Sequence, residues 1–154
     1  MKVAVIGVGY LGKFHAQKYA NLEGVKLIGV CDSNLDQAKL IAKELKTKAF
    51  NDYQQLADKV DAVSIVTPTQ LHFQIAKFFL SNKVHVLVEK PITSKVVEAD
   101  ELIKIAQDEQ LVLQVGHLGR FNPALMKASE LLDKPSLSKL KGFPLLILVV
   151  LMLV

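Results

Sequence analysis

The chain has one cysteine, Cys31, so no disulfide can form within it and a small disulfide-stapled secreted scaffold is excluded. A reducing compartment follows as the expectation, and the cytoplasm is the first choice. No basic run and no basic stretch interleaved with aromatics is present. The 19 Lys and Arg are scattered singly among 15 Asp and Glu, so the net charge of +4 reads as solvated helix faces and no nucleic-acid partner is expected. Long hydrophobic runs are also missing. Gly7 and Gly9 interrupt the apolar start too early for a signal segment. At the other end, Leu145 to Val154 gives ten uncharged residues, well short of the roughly 18 to 20 that a spanning helix needs. No cluster of Cys, His and Asp has metal-ligand spacing, so no metal is expected. Neither a G-x-S-x-G nor a paired-carboxylate arrangement is found, which leaves hydrolase readings without support.

What is present is a chain of 154 residues, 51% hydrophobic and 22% charged, the balance of a globular domain with a sizeable core. Val3–Ile6 is a continuous apolar run of the kind a parallel strand shows when both faces are covered. A helix is predicted over Tyr10–Asn21, a strand over Lys26–Cys31 and a helix over Asn34–Leu45 with a broad apolar face. The alternation continues with a strand Ala62–Val66, a helix Leu71–Leu80, a strand Val84–Val88, a helix Val96–Asp108 and a strand Leu111–Val115. Five apolar runs separated by amphipathic helices specify a βαβ series. The right-handed crossover rule makes this an α/β doubly wound fold, a mainly parallel sheet with helices on both faces. Asn122 and Pro123 then read as the cap and first residue of a helix reaching Leu132. His15 is expected to pack from the first helix against the sheet, and His85 to sit in the core or at the edge of its strand. Cys31 is expected to be inert and buried.

The chemistry concentrates at one end of these strands. Gly7-Val8-Gly9-Tyr10-Leu11-Gly12 directly follows the first strand and opens the first helix, and Asp32 closes the second strand 20 residues after Gly12. In a dinucleotide-binding turn of this kind Gly7 allows the tight turn, Gly9 allows backbone to approach a pyrophosphate, and Gly12 allows close packing of helix on strand. The helix N-terminus at Tyr10 and Leu11 offers unpaired N–H groups to the phosphates. Asp32 would accept hydrogen bonds from ribose hydroxyls and repel a 2′-phosphate. With no arginine at Ser33 or Asn34, NAD is expected over NADP. Thr67-Pro68 and Glu89-Lys90-Pro91 end the third and fourth strands at the same rim, because ligands of open α/β sheets bind outside the strands' carboxyl ends. A lysine there could polarise a carbonyl or move a proton during hydride transfer, provided burial or neighbours lower its pKa.

Taken together, Gly7-x-Gly9-x-x-Gly12-x-x-His15, Thr67-Pro68-x-x-x-His72, Glu89-Lys90-Pro91 and Gly116-His117-x-x-Arg120-Phe121-Asn122-Pro123 resemble the Gfo/Idh/MocA oxidoreductases over about residues 1–133. The resemblance implies an NAD-binding Rossmann domain with Lys90 as the catalytic residue near the nicotinamide. It further implies that His72 and Glu89 line the nicotinamide half of the cofactor site, and that Arg120 and Asn122 lie toward the substrate. The Lys90–Pro91 bond is expected to be cis, as is common in that family, with Thr93 or Ser94 capping the next helix.

Such oxidoreductases usually continue into a second α/β domain that binds substrate and brings an Asp and a His beside the lysine. Here 134–154 reads instead as a linker with two prolines followed by the apolar tail, and a truncated or frame-shifted reading frame accounts for both features. The expected function is therefore an NAD-dependent oxidoreductase acting on a sugar, polyol or nucleotide-sugar hydroxyl, present as its NAD-binding domain. A catalytically inactive NAD-binding module is the alternative, since a site built from two domains cannot position substrate with one. The tail itself, apolar and free of proline, is expected to be buried, at a sheet edge or between chains in a homo-oligomer.

Overall fold

The computed structural model describes residues 1–124 together with 126 and 127. Six strands, β1 (Lys2–Ile6), β2 (Lys26–Cys31), β3 (Lys48–Phe50), β4 (Ala62–Ile65), β5 (His85–Val88) and β6 (Leu113–Val115), form one sheet. Their spatial order is β3-β2-β1-β4-β5-β6, and every neighbouring pair is parallel. Four helices connect them: α1 (Tyr10–Asn21), α2 (Leu35–Glu44), α3 (Thr69–Ser81) and α4 (Val96–Asp108). This is the expected doubly wound α/β fold of Rossmann type. The chain reverses its direction of travel across the sheet between β1 and β4, so their carboxyl ends flank the switch point where such sheets open a ligand crevice.

Strand alternation sends apolar side chains into two layers. Ala4 and Ile6 of β1 join Ile65, Phe79, Val86 and Leu102 in the core beneath α3 and α4. Val5 joins Val8, Ala16, Val30, Ala38 and Ile41 beneath α1 and α2. A strand buried on both faces shows no polar alternation, which is why β1 reads as a continuous run. The cap of α2 also follows from sequence: Asn34 Oδ1 accepts from the amides of Asp36 and Gln37 at 3.1 and 3.2 Å. His85 is half-buried on β5, where its Nδ1 accepts from the Val112 amide at 3.0 Å.

Two differences from the sequence reading have physical causes. Strand β3 and the 3-10 turn Tyr53–Leu56 are not among the elements read from sequence; β3 has three residues, too few for a periodic signal, and is held by pairing with β2 and by Phe50 lying over Gly29. The cap of α4 is corrected as well. Its N-cap is Lys95, with no side-chain capping bond, and the nearly buried Thr93 hydroxyl instead donates to the Lys95 carbonyl at 2.8 Å.

Met1–Gly116 forms one compact unit, and the chain from His117 onward belongs to a second. In the latter, Leu118–Phe121 makes a 3-10 turn. Asn122 Oδ1 accepts from the Ala124 amide at 2.9 Å, and the Asn122 carbonyl accepts from the Met126 amide at 2.9 Å, so the helix expected from Pro123 begins as read. Its end at Leu132, the linker 134–144 and the apolar tail lie outside the described residues.

Candidate cofactor site

The site starts from the turn between β1 and α1. Gly7 has φ +84°, and its amide donates to the Cys31 carbonyl at 2.7 Å, tying the turn to the end of β2. A Cβ at Gly12 would stand 1.8 Å from the Gly7 carbonyl oxygen, so the close approach of helix to turn demands glycine there. Gly9 differs: a Cβ would meet nothing within 4 Å. The fold does not need glycine at this position, and the open space in front of it is what an approaching phosphate group requires.

Asp32 reaches the same turn from β2. Its Oδ2 accepts from the Val8 amide at 2.9 Å and its Oδ1 from the Asn34 amide at 2.9 Å, while Gln37 Nε2 donates to the Val8 carbonyl at 2.9 Å. The carboxylate thus fixes the glycine turn and still lines a cavity of about 340 Å³ with Gly7, Gly9, Thr67 and Pro68. These are five of the residues expected to bind cofactor. Ser33, Asn51, Tyr53, Leu71 and Gln74 complete much of the wall and were missed. Asn51 and Tyr53 follow β3, and the turn-forming pair Asn51-Asp52 was the available signal for them. Cys31 also lines the cavity, but burial first, then the charges of Asp32 and Asp52, push its thiol up from 9.0 to about 12, so it is an inert hydrophobic group. Tyr10 and Leu11 stand exposed at the start of α1 and do not line this cavity.

A second group lies at the ends of β4 and β5. His72 is buried, with Nε2 2.8 Å from the Thr67 carbonyl and Nδ1 2.9 Å from the Pro91 carbonyl, so its ring fastens the two strand-end loops together. Glu89 is buried too; Oε2 accepts from the Lys90 amide at 3.1 Å. The Lys90–Pro91 bond is cis, as expected from sequence, and Lys90 is exposed. Neither His72, Glu89 nor Lys90 belongs to the cavity lining. Arg120 lies in the turn Leu118–Phe121, and the Asn122 side chain is used as a helix cap.

The arrangement fits a dinucleotide. The start of α1 has no side-chain cap, an acidic group faces the cavity from β2, and Thr67 Oγ1 is buried at the rim with no hydrogen-bond partner. Residues 1–117 match the Gfo/Idh/MocA family, described as an oxidoreductase family with an NAD-binding Rossmann fold.

The chain belongs to the Gfo/Idh/MocA oxidoreductase family.

Among its relatives is the UDP-N-acetylglucosamine 3-dehydrogenase of Acidithiobacillus ferrooxidans, 50% identical over 125 residues, a match covering 81% of this chain and 39% of the relative. The solved structure of that enzyme superposes with a TM-score of 0.79 at 48% identity, covering 84% of this chain and 42% of that one. Scyllo-inositol dehydrogenase from Lactobacillus casei, solved with bound NAD(H) and scyllo-inositol, gives a TM-score of 0.80 at 28% identity, covering 86% and 41%. The chain thus spans about two-fifths of the length of these relatives and corresponds to their NAD-binding Rossmann domain. Among the described residues, no helix is long and apolar enough to cross a membrane, and no group of three His, Cys, Asp or Glu is placed to hold a metal ion.

Proposed function

We propose that the chain is the cofactor-binding part of an NAD-dependent oxidoreductase acting on the hydroxyl of a sugar, polyol or nucleotide sugar. The observation that carries this reading is the open face of Gly9 beside a cavity walled by Asp32 and Thr67. Amides at the start of α1 receive the pyrophosphate, and Asp32 accepts from the adenosine ribose hydroxyls. The same carboxylate repels a 2′-phosphate, and neither Ser33 nor Asn34 offers a compensating cation, so NAD is preferred over NADP. Bound nicotinamide supplies the acceptor for a hydride leaving the substrate's carbinol carbon. Lys90, exposed just beyond the buried Glu89, assists the departure of that hydroxyl's proton as the carbonyl forms. Tyr10, Leu11 and Pro68 flank the approach, His72 holds the loops behind it, and Arg120 and Asn122 are assigned to the substrate on the family's motif alone.

The short span relative to its relatives favours a second reading of the 154-residue chain taken alone: it holds NAD and turns nothing over. Calorimetric titration with NAD and NADP tests the binding claim. NAD is expected to bind more tightly than NADP, and Asp32→Ala to raise the Kd for NAD by about tenfold or more, a loss of about 1.4 kcal/mol. Absence of NAD binding at millimolar concentration overturns the proposal. NAD reduction with UDP-N-acetylglucosamine, scyllo-inositol and other polyols separates the two readings, since turnover selects the enzyme and binding without turnover selects the module.

A further inference from the structure

A line of polar side chains runs through the sheet from β4 to the loop that carries Lys90. Ser64 is fully buried among apolar neighbours on β4, where a hydroxyl needs a partner, and its Oγ lies 2.7 Å from His15 Nδ1. His15, one turn into α1, has a side chain 14% exposed, and its other nitrogen, Nε2, stands 3.4 Å from Glu89 Oε1. The Glu89 side chain is 8% exposed. Its Oε2 takes the Lys90 amide, whereas Oε1 has no conventional hydrogen-bond partner and faces His15. Gly116 closes the far side, since a Cβ there would come within 2.8 Å of Oε1. A carboxylate oxygen this buried is costly to leave without a donor, and His15 Nε2, 3.4 Å away, is the side-chain nitrogen that stands beside it.

We propose that His15 is a positioning residue for Lys90. Ser64 donates its O–H to His15 Nδ1 and thereby leaves the proton of the neutral ring on Nε2. That N–H is the positive end nearest Glu89 Oε1, and its attraction for the carboxylate keeps Oε2 against the Lys90 amide and fixes the backbone from which the Lys90 side chain projects. The inference deepens the reading of Lys90 as the proton-handling group and rests on it for its catalytic meaning. The line of polar contacts itself does not depend on NAD.

The experiment uses the full 154-residue chain. Amide hydrogen exchange followed by NMR should show the Lys90 amide exchanging about tenfold faster in His15→Ala, although that amide is bonded to Glu89, while amides in the middle of β1 and β5 keep their rates. Glu89→Gln should produce the same increase. His15→Gln, whose amide can still donate to Oε1, should restore most of the protection, which a role in packing alone would not predict. Nitrogen-15 spectra of the His15 ring at neutral-to-basic pH should show the Nε2–H tautomer in the parent, and Ser64→Ala should shift the tautomer balance toward Nδ1–H. Should His15→Ala fail to fold, the Ser64→Ala spectrum and the Glu89→Gln exchange rate decide the matter. Unchanged Lys90 exchange in the His15 or Glu89 variants, or an Nδ1–H ring in the parent, overturns the proposal. Failure of the parent to bind NAD would overturn the cofactor reading instead and leave these spectra unaffected.

Discussion

Gly9 and Gly12 belong to one motif yet are glycine for opposite reasons. Alanine in a helix interior ordinarily gains about 1 kcal/mol over glycine, but at Gly12 the added methyl would meet the Gly7 carbonyl at 1.8 Å and reverse that sign. Gly12→Ala should therefore lose about 1 to 3 kcal/mol in a urea melt. Gly9→Ala has room, so its melt should match the parent while its affinity for NAD falls about tenfold or more by calorimetry. Equal effects of the two substitutions on stability would contradict this division. Cys31 makes a separate prediction about pH. Its thiol keeps its proton in the folded chain up to about 12, whereas the unfolded chain releases it near the ordinary 9.0. Above that lower value the folded state binds more protons, so stability should fall as pH rises through the window. Urea melts of the parent and Cys31→Ala should diverge in pH slope there, with the flatter profile in the variant. At this scale the motif glycines and Asp32 were legible because their spacing along the chain is itself the signal. Asn51 and Tyr53 carried only the turn signal of Asn51-Asp52, and nothing local marked Ser33 or Gln74 for a cavity whose walls come together when the sheet forms.

Strands with a run of apolar residues and helices with an apolar face announce themselves; short edge elements do not. Tyr10–Asn21, Lys26–Cys31 and Val96–Asp108 coincide with the sequence reading because their lengths carry a full periodic signal. Strand β3, three residues long, exists because β2 offers unpaired backbone groups and because Gly29 leaves a flat place for the Phe50 ring. Its consequence reaches the site: the Phe50 carbonyl accepts from the Asp32 amide at 3.1 Å, and the chain then delivers Asn51 and Tyr53 to the cavity. Phe50→Ala should cost about 2 kcal/mol, less than a fully buried phenylalanine, since this ring is half-buried. Hydrogen exchange should register faster opening at the Asp32 amide, and unchanged exchange there would refute the link.

Across the whole Met1–Gly116 unit, core and cavity share side chains. Phe79 is fully buried, and Tyr53, a wall of the cavity, lies with its ring centroid 6.0 Å from that of Phe79. Phe79→Ala should lower stability by about 3 to 5 kcal/mol, read as a reduced urea midpoint at constant slope, and should weaken NAD binding through Tyr53. A variant that loses stability but binds NAD as tightly as the parent would show that the cavity wall stands without this support. The sequence by itself determined the α/β alternation, the parallel sheet, the glycine turn with its acid at the end of β2, and membership of an oxidoreductase family. Those features are set by interactions within a few residues or by a repeating pattern along the chain. Only the tertiary structure decided the edge strand β3, the cavity wall after it, the joining of two loops by His72, and the line from Ser64 through His15 to Glu89. Each of these depends on side chains far apart in sequence that come within hydrogen-bonding or packing distance only after the sheet has assembled.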